Sequence, residues 1–271
     1  MNKNLIIIGL LIVKNEEDII EDTIMWYKSQ NIDGLIICDT GSTDKTIEII
    51  TSFKDGFILE FIQKDRFLQS EISLEMANFA SEKYNVDWVL PLDADEFYYP
   101  KNEFLSLKDT ISLLDEGGYF NLYVPRKKYY PTELDKETDN LIQRFNYFTY
   151  QTNWKAVGKY NNPMVFEPGN HQIYNSHDRY PLTIDNQLLE VRHYEIRSYK
   201  QLLTKLKRIN DVWKYIWDYD TNQRGHWNYL LKHKDRNIEE VALELWNSIY
   251  KTEKQVRELV KEQKLQFDIS L

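Results

Sequence analysis

The sequence predicts an α/β protein: a mostly parallel, doubly wound sheet followed by a helical extension at the C-terminal end. Three observations carry this. From Leu5 to Leu92, short apolar runs alternate with segments whose apolar residues recur at helical spacing. The apolar runs are continuous rather than alternating, as strands covered on both faces require. From Arg197 onward the helical spacing persists without intervening strands.

Leu5–Val13 is the first expected strand. The run Asn4–Val13 is too short to span a bilayer and ends in Lys14-Asn15-Glu16-Glu17 with no small-residue cleavage pattern, so a buried parallel strand is the better reading. A helix over Glu16–Ser29 follows, with Ile19, Ile20, Ile24 and Tyr27 on one face. Leu35–Asp39 is the second strand. After the turn Thr40-Gly41-Ser42-Thr43, a helix runs through Ile50, with Ser42 or Thr43 as its cap and Asp44 in its first turn. A strand near Phe57–Ile62, a helix over Ser73–Tyr84 and a strand over Trp88–Leu92 complete the alternating part.

Residues 119–195 read differently. Tyr119–Pro125 and Leu141–Tyr150 are expected strands, and Trp154–His177 reads as loop, rich in Gly, Pro, Asn and His. Beyond Arg197, helices are expected over Ser198–Tyr215, His226–Lys234 and Ile238–Gln263. Val241, Leu245, Ile249, Val256 and Val260 form one stripe on the last of these, either packed on the preceding domain or docking a partner. We expect one domain over residues 1–196 and a helical extension over 197–271, with no internal repeat.

Composition narrows the function classes. Lys and Arg number 34 against 43 Asp and Glu, a formal charge of −9, which disfavours a general nucleic-acid binder. It leaves room for a phosphorylated ligand, because a divalent cation inverts the field of an acidic cleft. The aromatic content of 14% fits core packing and also stacking on sugars or bases. Cys38, the sole cysteine, lies in an apolar run; it reads as a buried structural thiol, excludes an intrachain disulfide, and fits a reducing cytoplasm. With no membrane-spanning run, any membrane association is expected to be peripheral, at the inner face.

The densest chemistry lies in Trp88-Val89-Leu90-Pro91-Leu92-Asp93-Ala94-Asp95-Glu96-Phe97. A buried strand delivers three carboxylates at its carboxyl end, the edge at which open α/β sheets bind ligands. If the chain stays extended there, Asp93 and Asp95 share one face and can address one hard cation such as Mn²⁺ or Mg²⁺. A second constellation, Ile36-Ile37-Cys38-Asp39-Thr40-Gly41-Ser42-Thr43-Asp44, puts Asp39 at a strand end, placed to meet a nucleobase or ribose. It also reads as an ordinary strand-to-helix turn.

Together with Val13-Lys14-Asn15-Glu16-Glu17, these segments closely resemble the family 2 glycosyltransferases and their relatives of the Rossmann-like GT-A fold, over residues 5–97. The resemblance implies a nucleotide-diphospho-sugar donor, UDP-linked by preference, held in residues 1–97, a divalent metal, and an acceptor half over 98–196. It implies that Val13, Asn15, Glu16 and Asp39 hold the nucleotide, that Asp93 and Ala94 lie near ribose and metal, and that Asp95 binds the metal. Asn78 falls where relatives carry an Asn; Ala77 stands where many have Arg. Val191-Arg192-His193-Tyr194-Glu195-Ile196-Arg197-Ser198 resembles an H-Y-x-x-R-S segment of a subset of these enzymes, which implies His193 as a metal ligand. Arg197, Lys205 and Arg208 then face the diphosphate, or else form a solvated helix face.

The resemblance further implies inverting transfer to a glycan or lipid-linked saccharide of a surface polysaccharide pathway. Such transfer needs a base, for which Glu167 and Asp178 are candidates with Glu195 behind them. His171, His177 and Asp178 fall in the loop-rich stretch that would line the acceptor side, and Trp154 either stacks on a sugar or packs. Arg126-Lys127-Lys128 reads as a solvated charge run or as an attractor for a phosphorylated acceptor; His226 and His233 read as structural. Two other readings stay in view. A sugar-phosphate nucleotidyltransferase would carry a Gly-rich basic loop where Lys14-Asn15-Glu16-Glu17 stands, and a non-catalytic carbohydrate binder would keep the fold without turnover.

Overall fold

The computed structural model describes residues 4–65, 68–136, 138, 140–161, 164–175, 188–213 and 236–268. The chain forms two compact units, Met1–Lys128 with Tyr150–His193, and Tyr129–Thr149 with Tyr194–Leu271.

In the first unit, β1 (Ile7–Val13) is buried at every position. Helix α1 (Ile20–Ser29) turns Ile20, Ile24 and Tyr27 inward. It leads to β2 (Gly34–Asp39), α2 (Thr46–Ser52) and β3 (Ile58–Gln63). Helix α3 (Gln69–Tyr84) and β4 (Trp88–Asp93) follow. Strands β1 and β2, β1 and β4, and β2 and β3 pair in parallel. Beyond them come β5 (Glu96–Pro100), α4 (Leu107–Glu116), β6 (Asn121–Tyr129) and, after a short helix α5 (Leu141–Arg144) that belongs to the second unit, β7 (Tyr147–Lys159). A hairpin of β8 (Met164–Phe166) and β9 (Ile173–Asn175) precedes β10 (Leu189–His193). The main sheet runs β3-β2-β1-β4-β7-β6-β10-β5, so a parallel α/β half continues into a mixed half.

The core lies where α3 covers the sheet, with Ile72, Met76 and Ala80 against Leu10, Ile36 and Val89. Cys38 is buried in the same cluster, and burial pushes its thiol up to about 11, as expected of a structural cysteine. Gly9 lies in the middle of β1. A Cβ there would sit 2.5 Å from Leu35 Cδ2 and 2.7 Å from Leu92 Cδ1, both on fully buried side chains. Gly9→Ala is therefore expected to destabilise the protein by about 1–3 kcal/mol through overpacking, seen as a lower urea midpoint at unchanged slope.

In the second unit, helix α6 (Tyr199–Trp213) packs on α7 (Ile238–Ile249), with Leu202 and Leu206 against Ala242, Leu245 and Ile249. Helix α8 (Glu253–Lys261) begins in a capping box of Thr252 and Gln255, and β11 (Gln266–Phe267) pairs with Tyr147 and Phe148. Among the described residues, no helix is long and apolar enough to cross a membrane.

Several expectations change. Ser42 and Thr43 do not cap α2, which starts at Thr46; Ser42 Oγ accepts from Asn15 N instead, and Asp44 Oδ1 accepts from Thr46 N ahead of the helix. The loops after β1 and β2 satisfy each other. The expected strand Leu141–Tyr150 begins as α5, because Asn140 Oδ1 caps Ile142 N. The expected loop Trp154–His177 holds the end of β7 and the β8–β9 hairpin. The expected helix Ile238–Gln263 is two helices, since Tyr250 takes an extended backbone (ψ 132°) and Thr252 starts a new cap. Its stripe is divided accordingly. Leu245 and Ile249 pack inside the unit and Val256 is buried, but Val260 is 38% exposed. Strand β5 and helix α4 have no sequence expectation. The expected helix His226–Lys234, with His226 and His233, lies outside the described residues, as does the side chain of Arg208.

Candidate active site

Three parallel strands end at one edge of the sheet, β1 at Val13, β2 at Asp39 and β4 at Asp93. Val13 is in register with Asp39, and Ile12 with Asp93. The Val13 carbonyl accepts from Thr40 N (3.0 Å) and Thr40 Oγ1 (3.1 Å). Asp39 is buried; its Oδ1 accepts from Gly41 N (3.1 Å) and Ser42 N (3.0 Å), which folds the backbone over the strand end. Gly41 turns with φ 93°, open to glycine without strain. Asn15 sits at φ 55°, and its Oδ1 accepts from Thr43 N at 2.7 Å. Glu16 N donates to Thr46 Oγ1. Val13, Asn15, Glu16 and Asp39 thus line one rigid cradle of two cross-linked turns.

At Asp93 the chain does not stay extended. Ala94 and Asp95 form a turn and Glu96 starts β5, so Asp93 and Asp95 do not share a strand face. Helix α1 holds this turn from below: Thr23 Oγ1 donates to the Ala94 carbonyl (2.7 Å) and Tyr27 OH to that of Glu96 (2.8 Å). Burial pushes the Tyr27 phenol well above its ordinary range, so it stays a neutral donor.

Antiparallel pairing of β5 with β10 puts His193 directly opposite Glu96. His193 Nε2 lies 3.7 Å from Asp95 Oδ2 and 3.9 Å from Glu96 Oε1. One ligand atom from each of Asp95, Glu96 and His193 falls within 4.8 Å of the others; Glu96 and His193 are buried, and the Asp95 side chain is 12% exposed. Two carboxylate oxygens and an imidazole nitrogen suit a borderline-hard divalent cation such as Mn²⁺, so the donor set fits the metal that the sequence implies. Glu96 Oε2 is buried and takes no hydrogen bond among the described residues, which leaves acceptor capacity there.

Two permanent cations stand in the same cluster. The Arg126 guanidinium donates to Glu96 Oε1, lies 3.0 Å from His193 Nδ1 and donates to Asn153 Oδ1 at 2.9 Å. Lys155 pairs with Asp93 Oδ2 and lies 2.8 Å from Glu96 Oε2. Burial, the largest influence, pushes the Glu96 carboxyl up. Arg126, Lys155 and His193 together outweigh it and hold Glu96 below its ordinary range. His193 Nδ1 has a second neighbour, Gln151 Oε1, at 3.2 Å. A guanidinium only donates, so Nδ1 accepts from Arg126 in one tautomer and donates to Gln151 in the other; the second frees the Nε2 lone pair for a cation. Arg126 and Lys127 are buried and not a solvated run, because Lys127 meets Glu190 Oε1 (2.9 Å) as Arg126 meets Glu96.

Beside the cluster, the turn Pro168–Asn170 follows Glu167. Gly169 N donates to Gln69 Oε1 (2.9 Å), the Gly169 carbonyl accepts from Lys155 (2.9 Å), and Gln69 Nε2 donates to Asp93 Oδ1 (3.2 Å). Glu167 Oε1 accepts from Tyr174 OH at 3.2 Å. His171 Nδ1 lies 2.6 Å from the Trp154 carbonyl; burial holds this imidazole below its ordinary range, and the Trp154 side chain is 42% exposed. Gln69 precedes the expected helix Ser73–Tyr84, Gln151 falls just past the expected strand Leu141–Tyr150 and Lys155 lies in the expected loop, so none of the three carries a sequence signal.

Asn78 is not brought to this cluster. It lies nine residues beyond Gln69 on α3, about 13 Å along the axis, and its Oδ1 accepts from Tyr160 OH. Ala77 beside it is core. Arg197 and Lys205 belong to the second unit. There the Arg197 guanidinium donates to the Tyr194 carbonyl (3.1 Å), and the Lys205 ammonium donates to that of Glu195 (3.4 Å). Asp178 and His177 lie outside the described residues.

A mostly parallel sheet of GT-A type with an acidic cluster at its carboxyl edge defines the class of the first unit. The family model described as glycosyl transferase family 2 matches residues 10–174. The chain belongs to that family and is a glycosyltransferase. The match takes in the Asp39 turn, Asp93 to Glu96 and Glu167, and stops short of His193. No curated protein matches. Among solved structures, S. aureus TarS 1-349 in complex with UDP-GlcNAc is 12% identical, with 85% of this chain and 71% of that chain covered and a TM-score of 0.45. Mannosyltransferase PcManGT from Pyrobaculum calidifontis, in complex with GDP-Man and Mn²⁺, is 16% identical over 44% of this chain and 34% of that chain, with a TM-score of 0.35.

Proposed function

We propose that this glycosyltransferase uses a nucleotide-diphospho-sugar, UDP-linked by preference, with Asp95, Glu96 and His193 holding Mn²⁺ or Mg²⁺. The buried Asp95–Glu96–His193 group at the carboxyl edge carries this reading. A divalent cation there supplies positive charge against the negative charge that grows on the departing diphosphate. The cradle of Val13, Asn15, Glu16 and Asp39 receives the nucleoside: Asp39, fixed by the amides of Gly41 and Ser42, has lone pairs left for a base N–H or a ribose hydroxyl. Glu167 takes the proton from the acceptor hydroxyl, and the acceptor is a glycan or lipid-linked saccharide attacked with inversion. Trp154, exposed near His171, offers a face for that sugar.

The test is a panel of UDP-, GDP-, CMP- and dTDP-linked sugars with Mn²⁺, read by calorimetry and by release of nucleotide. One nucleoside-diphosphate donor should bind and hydrolyse slowly, and EDTA should abolish both. A panel with neither binding nor hydrolysis would sink the proposal.

A further inference from the structure

We propose that Lys155 is a resident counter-cation that withdraws Asp93 from the divalent cation and fastens it to the Gly169 turn. The inference rests on the cation reading above and goes beyond it, since it gives Lys155 and Gln69 a part in holding Asp93 away from the cation. An ammonium has three N–H donors. At Lys155, which is 1% exposed, hydrogen bonds run to Asp93 Oδ2 and to the Gly169 carbonyl (2.9 Å), and Glu96 Oε2 stands 2.8 Å away as an ion-pair partner. Asp93 is committed on its other oxygen too, where Gln69 Nε2 donates to Oδ1. The same Gln69 accepts from Gly169 N at 2.9 Å, so both backbone groups of Gly169 are tied to Asp93, one through each side chain.

The group with ligand atoms in mutual reach contains Asp95, Glu96 and His193 but not Asp93. Lys155 explains the division. It neutralises one carboxylate next to the cluster, so the charge that a divalent cation meets is smaller than three acids would give. Lys155 and Gln69 are thus positioning residues. They hold the turn that follows Glu167 at the edge of the metal group, and they set how tightly the bare protein takes a cation.

Mn²⁺ titration of the nucleotide-free protein, followed by the electron paramagnetic resonance signal of the free ion, decides the matter. Asp93→Asn should bind Mn²⁺ within about twofold of the parent, whereas Asp95→Asn should lose binding by about tenfold or more. Lys155→Met should bind about tenfold more tightly, as Asp93 is released to join the cluster. The double variant, Lys155→Met with Asp93→Asn, should return to the parental affinity; a merely structural lysine would give no such gain and no such reversal. The isosteric Asp93→Asn decides the matter even if Lys155→Met fails to fold. A tenfold loss in Asp93→Asn alone would overturn this proposal and leave the cation reading standing. No binding to any form, with Asp95→Asn indistinguishable from the parent, would overturn both.

Discussion

Asp95→Ala is expected to slow donor turnover about a thousandfold, a loss of about 4 kcal/mol of transition-state stabilisation, with the fold intact. Asp95 stands in the turn between β4 and β5, 3.7 Å from His193, and its backbone position is set by α1 through the Ala94 and Glu96 carbonyls. Removing its carboxylate therefore takes away one arm of the proposed cation site without unpicking the turn. Nucleotide release from the donor found in the panel measures the first effect, and the urea midpoint measures the second. Raising Mn²⁺ should not restore the rate to the parental level. A variant that turns over its donor as fast as the parent would remove Asp95 from the reaction.

Arg126→Met is expected to cost stability rather than chemistry alone, about 3–5 kcal/mol at neutral pH, because it strips one partner from a buried pair. Arg126 serves Glu96, His193 and Asn153 at once, and Glu96 is 1% exposed. The pH dependence has a definite sign. Glu96 is held below its ordinary value of 4.5 in the folded protein, so its contribution is present above that value and fades as pH falls through the lowered one. Without Arg126, burial pushes the carboxyl up and the contribution shrinks. The gap between variant and parent should therefore be wide at pH 7 and narrow in acid, as urea titrations at several pH values would measure. An equal gap at pH 7 and in acid would mean that packing, not charge, accounts for the loss.

The parallel half was legible because its strands are buried on both faces and announce themselves as unbroken apolar runs. Asp39 and Asp93 were legible as candidates for the same reason, since each closes such a run. The sharing of one face by Asp93 and Asp95 was not, because it assumed an extended chain, and only the pairing of β5 with β10 reveals the turn. His193 was placed by the resemblance of its segment; its position opposite Glu96 is a matter of register that no local pattern encodes. Lys155 was invisible. A lysine in a stretch read as loop looks like surface, and its true neighbours, Asp93 and Glu96, come from the facing ends of β4 and β5. Arg126 and Lys127 failed in the same way: basic runs are solvated unless a carboxylate waits across the sheet.

The acids and cations of the cluster are made at different times. Glu96 and Arg126 are 30 residues apart, Asp93 and Lys155 are 62 apart, and His193 comes 67 residues after Arg126. During synthesis the chain therefore carries its carboxylates well before it carries the charges that allow them to be buried. Until β10 emerges, β5 lacks the strand it pairs with, and the cost of burying unpaired carboxylates favours a hydrated Asp93–Glu96 segment. Closure of the mixed half is therefore expected late in folding, since its contacts are long-range. A fragment ending before Lys155 would hold every parallel strand from β1 to β4 but lack Lys155 and His193, so the turns around Asp39 and the charged cluster are encoded in different lengths of chain although they share a sheet.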